Sequence, residues 1–296
     1  MKRKAFKVGY VGSNFYGFQR QHNLRTVEGE IIDTLIDIGY IDELEKGRFR
    51  IAGRTDAGVN SLGNIVSFQS EEEVHINKIN SCLPDDVQFL AEAPVRFGFK
   101  PRYAKERWYR YILFNNDLDI EKLNEVANLF VGTHNFTNFT KRHQRTTMRT
   151  INKINISTPK IDADERLNRP YKTNDFDSNQ HFPDLNKTYR PIFIDIYGES
   201  FMWNMIRKMM RVFLDYSEGK LTINQVQKYL NPDVDEKREH IKVLSAENLI
   251  LMDTVYDNIN FTYDDYAVEK FKRYLASQLV YHQKSYGIVE AMLNSF

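Results

Sequence analysis

A single cysteine, Cys82, occurs in the 296 residues. No disulfide can therefore close within the chain, and a thiolate zinc site would lack ligands. No stretch approaches the roughly 18 uncharged apolar residues that span a bilayer. Residues 1–7 are basic but lead into no apolar segment, so they do not read as a secretory signal. A cytoplasmic protein is the expectation. Phosphate-loop, dinucleotide and nucleophile-elbow patterns are missing too. His22, His134 and His143 lack metal-ligand spacing, and His181 and His240 stand in polar surroundings.

Strong net charge is also absent, at +1, but the charges are segregated. Residues 100–110 hold Lys100, Arg102, Lys105, Arg107 and Arg110 against one acid, Glu106. Residues 141–153 hold Lys141, Arg142, Arg145, Arg149 and Lys153 with no acid. Such a chain either presents a positive face to a phosphate backbone or carries ordinary solvated charge, and the pattern alone leaves both open. Apolar residues make up 42% of the chain, enough for two domains or one large α/β body.

Hydrophobic patterning predicts strands at 4–9, 48–52, 64–68, 108–114, 150–157, 192–197 and 249–256. Helices are predicted after Thr26, with Val27, Ile31, Leu35 and Ile38 on one face, and after Asp119, with Leu123, Val126, Ala127 and Phe130 inward. Further helices are predicted at 201–216, after the Thr222/Gln225 capping box, and at 264–293. Residues 158–190, polar and with three prolines, read as a long excursion, partly disordered or in contact with substrate. Strands flanking helices twice over argue for α+β with mainly antiparallel sheet. The two parts expected are residues 1–115 and 116–296.

The segment that promises chemistry is Gly53-Arg54-Thr55-Asp56-Ala57-Gly58-Val59, a glycine-bounded loop between two predicted strands. Its glycines let the backbone pass close to a bound group. Asp-Ala-Gly is also a good plain turn, and residue types alone favour that reading. The loop nonetheless resembles the signature of the TruA family of tRNA pseudouridine synthases. Phe15 to Gln21, Thr26 to Glu30, Arg107 to Asn115, Gly132 to Phe139, Phe201 to Arg207 and Ala246 to Leu251 are similar to other segments of that family, in matching order. Asn60 stands where the family commonly has His, and Arg211 where it commonly has Gly.

The resemblance implies two ferredoxin-like (RRM-like) halves forming a continuous, mainly antiparallel sheet with a central catalytic cleft. It implies conversion of uridine to pseudouridine in tRNA, with the anticodon stem-loop as first guess, no metal or organic cofactor, and a homodimer. Asp56 would be the catalytic carboxylate, Arg207 its charged brace, and Tyr109 the ring that stacks on the uracil and takes a proton from C5. Arg54 would contact a phosphate or fill the gap left by the extruded base. Lys141, Arg142 and Arg145 are candidates for the RNA backbone. A non-catalytic RNA-binding protein on the same sheet is the alternative.

Overall fold

The computed structural model describes residues 2–42, 48–114, 118–141, 146–159, 191–232 and 238–295. All but the first two residues of the 158–190 excursion, and with them Arg142 and Arg145, lie outside these. The elements run β1 (Lys2–Tyr10), α1 (Val27–Asp37), β2 (Arg50–Ile51), β3 (Asn60–Ser70), α2 (Ile76–Cys82), β4 (Val87–Pro94), β5 (Glu106–Phe114), α3 (Ile120–Phe130), β6 (Gly132–Asn135), β7 (Met148–Ser157), β8 (Pro191–Gly198), α4 (Met205–Ser217), α5 (Ile223–Leu230), β9 (Leu249–Val255), β10 (Thr262–Tyr263) and α6 (Asp265–Leu293). The fold is α+β.

Two compact units are present, Met1–Arg107 with Ile250–Phe296, and Trp108–Leu249. The chain thus returns to the first unit at Ile250, where a single cut near 115 had been expected. The reason is non-local pairing. β10 pairs antiparallel with β4, and the first turns of α6 bury Ala267 and Phe271.

In the first unit β1 pairs antiparallel with both β3 and β4, and β2 pairs with β3. The order β4-β1-β3-β2 is that of a split β-α-β motif, with α1 and α2 as its crossovers. Alternation along β1 sorts the side chains. Phe6, Val8 and Tyr10 join Val66, Phe68 and Phe89 under Val27, Ile31 and Leu35 of α1 and Ile79 of α2. Ala5 and Ile65 face the other way, against Ala52, Phe99, Ala104 and Tyr256.

The second unit has strand order β5-β8-β7-β6. β7 pairs antiparallel with β6 and β8. Ile192, Ile194 and Ile196 of β8 are buried, as are Leu123, Val126 and Phe130 of α3. Phe130 packs edge-on against Phe213 of α4, with centroids 5.0 Å apart. Thr26, Asp119 and Thr222 cap their helices as predicted, and Asp264 caps α6. Thr26, Asp119 and Asp264 accept from backbone N–H groups of the first turns, and Thr222 with Gln225 forms the capping box.

Candidate active site

The strand pairing that ends β2 delivers the Asp56 loop. Arg50 and Ile51 pair with Ser67 and Val66, and the Ala52 N–H donates to the Ile65 carbonyl at 2.8 Å. Beyond that point side chains hold the backbone. Asn64, fully buried, donates from Nδ2 to the Gly53 carbonyl at 3.0 Å and to the Tyr10 hydroxyl at 3.2 Å. That hydroxyl also bonds Thr55 Oγ1 at 2.8 Å. Asp56 then opens a turn closed by the Val59 N–H donating to its carbonyl, with Gly58 at φ +84°. A turn of this second type requires positive φ at its third residue, which is why glycine stands there.

A second loop, residues 11–26, locks onto the first. Phe18 N–H donates to the Thr55 carbonyl at 3.0 Å, and Gly12 N–H to Asn60 Oδ1 at 2.9 Å. A Cβ on Gly12 would stand 2.3 Å from the Val59 carbonyl oxygen. The same loop runs into α1, whose first N–H groups, on Val27 and Glu28, donate to Gly17 and Phe18. Asp56 is therefore a half-buried carboxylate on a backbone fixed from two sides. Arg54, two residues before it, is exposed.

Tyr109 and Arg207 belong to the second unit. Tyr109 on β5 is half-buried and meets Phe201 edge-on, with centroids 5.2 Å apart. It shares its strand face with Tyr111, whose hydroxyl donates to the Ser245 carbonyl at 2.9 Å. Arg207, in the first turn of α4, donates from Nε to the Leu244 carbonyl at 2.7 Å and from Nη1 to Asn204 Oδ1 at 3.1 Å. α4 begins at Met205 rather than at Phe201 as predicted, because Asn204 sits in the left-handed region at φ 62°. On the opposite face of β5, Arg110 grips Asp195 through two bonds of 2.8 Å, and Trp108 Nε1 donates to the same carboxylate at 2.7 Å.

Lys141 is exposed and stands in a cationic neighbourhood that the sequence did not reveal. Lys208 of α4 is buried and donates to the Asn138 carbonyl at 2.8 Å. Burial lowers its pKa first, and the charges of Lys141 and Arg238 lower it further. Lys208 and Arg238 lie far apart in sequence, so no local run signals the cluster. Tyr10, Asn64 and Thr55 were likewise not singled out. Tyr10 and Asn64 stand on strands and Thr55 on the Asp56 loop, so no local pattern joins the three.

Residues 126–257 match a family model described as tRNA pseudouridine synthase. A "tRNA pseudouridine synthase A" of Methanobrevibacter smithii is 58% identical over 295 residues, covering 100% of this chain and 97% of that protein. Its namesake in Methanothermobacter thermautotrophicus is 40% identical, covering 96% of this chain and 93% of the relative. This chain belongs to the tRNA pseudouridine synthase A family. Among solved structures, an archaeal box H/ACA sRNP Nop10–Cbf5 complex is similar over 72% of this chain and 43% of that one, at 11% identity and a TM-score of 0.34.

The two departures from the family pattern have structural roles in this synthase. Asn60, in place of histidine, supplies the acceptor for Gly12 and so ties the two loops. Arg211, in place of glycine, pairs with Asp215 one turn on, at 2.6 and 2.8 Å. Among the described residues, no three His, Cys, Asp or Glu side chains converge as metal ligands, and no helix is long and apolar enough to cross a membrane.

Proposed function

We propose that Asp56 is the catalytic carboxylate through which this isomerase converts uridine to pseudouridine in tRNA, with uridines of the anticodon stem-loop as its substrates. The Asp56 turn carries the reading: a carboxylate presented on a backbone held by Tyr10, Thr55, Asn64 and Gly12. In the reaction the bond from ribose C1′ to uracil N1 breaks, the ring turns, and C1′ joins C5. The C5 proton leaves and N1 gains one, so no atom is lost and no redox partner is needed. Asp56 acts at the sugar, by covalent addition or by stabilising positive charge there. A rigid backbone favours either role, because misplacement of the carboxylate is costly.

The remaining roles follow. Tyr109, already edge-on to one ring, offers its face to the extruded uracil and its phenol to the C5 proton. Arg207 is given the part of charged brace by the family resemblance alone. Arg54, exposed beside the turn, contacts a phosphate or fills the place of the flipped base. Lys141, with Lys208 and Arg238, supplies positive potential for the RNA backbone. We place the protein in the cytoplasm, where tRNA is modified, and as a homodimer paired through the exposed apolar stripe of α6.

The test is tritium release from tRNA labelled at uridine C5. Asp56→Asn keeps the side-chain shape and removes the charge, so release falls to background while tRNA binding persists. Release at the unmodified rate would remove Asp56 from the chemistry and favour a non-catalytic RNA-binding role for the loop. Free uracil among the products would instead mean hydrolysis of the nucleoside bond.

A further inference from the structure

Three arginines meet on the face of β1 that points away from Tyr10 and the Asp56 loop. Arg3 is only 6% exposed. Its Nε donates to Ser67 Oγ at 3.1 Å and its Nη2 to the Arg48 carbonyl at 2.7 Å, but its buried Nη1 has no hydrogen-bond partner among the described residues. Arg3 makes no ion pair among the described residues, and the charges acting on it are those of Arg50 and Arg48. Burial first, and then these two cations, pull its pKa down to about 10. Arg50 donates to the Phe99 carbonyl at 2.7 Å. Arg48 is held at φ 45°, with its guanidinium 4.5 Å from the centre of the Phe97 ring, which is itself 59% exposed. Beside them opens a pocket of about 360 Å³ lined by Lys2, Arg3, Lys4, Gln69, Val95 and Phe97, together with Pro94.

A buried guanidinium with no counter-charge among the described residues is unfavourable, and an unmet buried N–H adds to the cost. Folding accepts that cost at Arg3 and places two more cations next to it. Planar N–H forks are matched by tetrahedral oxyanions. We propose that Arg3, Arg48 and Arg50 form a binding site for a phosphate group, separate from the Asp56 loop. Arg48 and Arg50 contact the oxyanion directly. Arg3 closes the site from beneath with its spare Nη1, reached when the exposed side chains of Arg48 and Phe97 swing outward. The phosphate is either a free phosphate or a backbone phosphate of the RNA. The site does not rest on the role assigned to Asp56.

The experiment uses the full chain, with inorganic phosphate against chloride at constant ionic strength, followed by thermal unfolding and by titration calorimetry. Phosphate at about five times its dissociation constant raises the unfolding midpoint by roughly 2–4 °C. Arg3→Met and the milder Arg48→Gln and Arg50→Gln abolish that increment, while Lys122→Gln, on an exposed position of α3, keeps it. Equal midpoints in the two salts, or an increment that survives in all three arginine variants, would overturn the site. Titration with tRNA then separates the sources. If RNA carries the phosphate, Arg48→Gln reduces the slope of log affinity against log salt by about one unit. If the anion is free, tRNA binding by Arg48→Gln matches that of the unaltered protein while calorimetry still shows phosphate lost.

Discussion

Tyr111 lies two residues from Tyr109 on β5 and senses the charge of Arg207, and its titration reports on that neighbourhood. Burial pushes its phenol up to about 12, against a smaller downward pull from the Arg207 charge. A free tyrosine titrates near about 10. Between those values the unfolded chain has lost a proton that the folded chain keeps, so stability falls as pH rises. The contribution is fully present below about pH 10 and lost as the pH passes 12. Tyr111→Phe removes this titration along with the bond to the Ser245 carbonyl. The variant is less stable at pH 8, by about 1 kcal/mol, and the gap narrows steadily on the alkaline side. Urea unfolding at pH 8 to 11.5 measures it; stability curves that stay parallel would show that Tyr111 titrates alike in both states.

The Asp56 turn depends on contact between two loops as elements, and glycine at position 12 makes the contact possible. Alanine there would put Cβ 2.3 Å from the Val59 carbonyl oxygen, and backbone atoms cannot rotate away as a side-chain tip can. The Gly12→Ala substitution is expected to cost about 1–3 kcal/mol through overpacking, and to cut tritium release by roughly 100-fold if the carboxylate moves by about 1 Å. Gly98→Ala meets open space and serves as the control. Equal melting and turnover in the two variants would mean the loops yield without consequence. This scale also shows what sequence can carry. The starts of α1, α3, α5 and α6 were legible because Thr26, Asp119, Thr222 and Asp264 bond within a few residues of themselves. β4 was not, because Val87 to Ala91 is buried throughout and lacks the alternation of a half-exposed strand. β10 exists only through its pairing with β4, far away in sequence. β2 is shorter than predicted because Arg48 takes a positive φ. The Asp56 loop was legible as a motif, whereas the polar chain that holds it, Tyr10–Thr55–Asn64, joins three separate segments and has no local signature.

For the whole molecule, the surface that fits the proposed homodimer is α6. Its first turns are buried through Ala267 and Phe271, but Leu279, Tyr286 and Val289 are about 60% exposed, at 62%, 59% and 64%. Leu275, Leu279, His282, Tyr286, Val289 and Leu293 recur at intervals of four and three, the spacing of a coiled-coil seam. From Leu275 to Leu293 the only lysine, arginine or acidic side chains are Lys284 and Glu290, so pairing identical helices costs little in like-charge repulsion. The same scarcity of cations argues against the helix lying along an RNA backbone. That stretch is about 28 Å long at the rise of an α-helix, enough for a seam of nearly three heptads. The unaltered protein is therefore expected to sediment as a dimer at micromolar concentration. Leu279→Glu combined with Val289→Glu, which places charge in the seam on both copies, is expected to give a monomer with an unchanged melting midpoint for the rest of the fold. A unaltered protein that already sediments as a monomer would leave the stripe without this partner. A dimer that persists in the double variant would place the pairing on another surface.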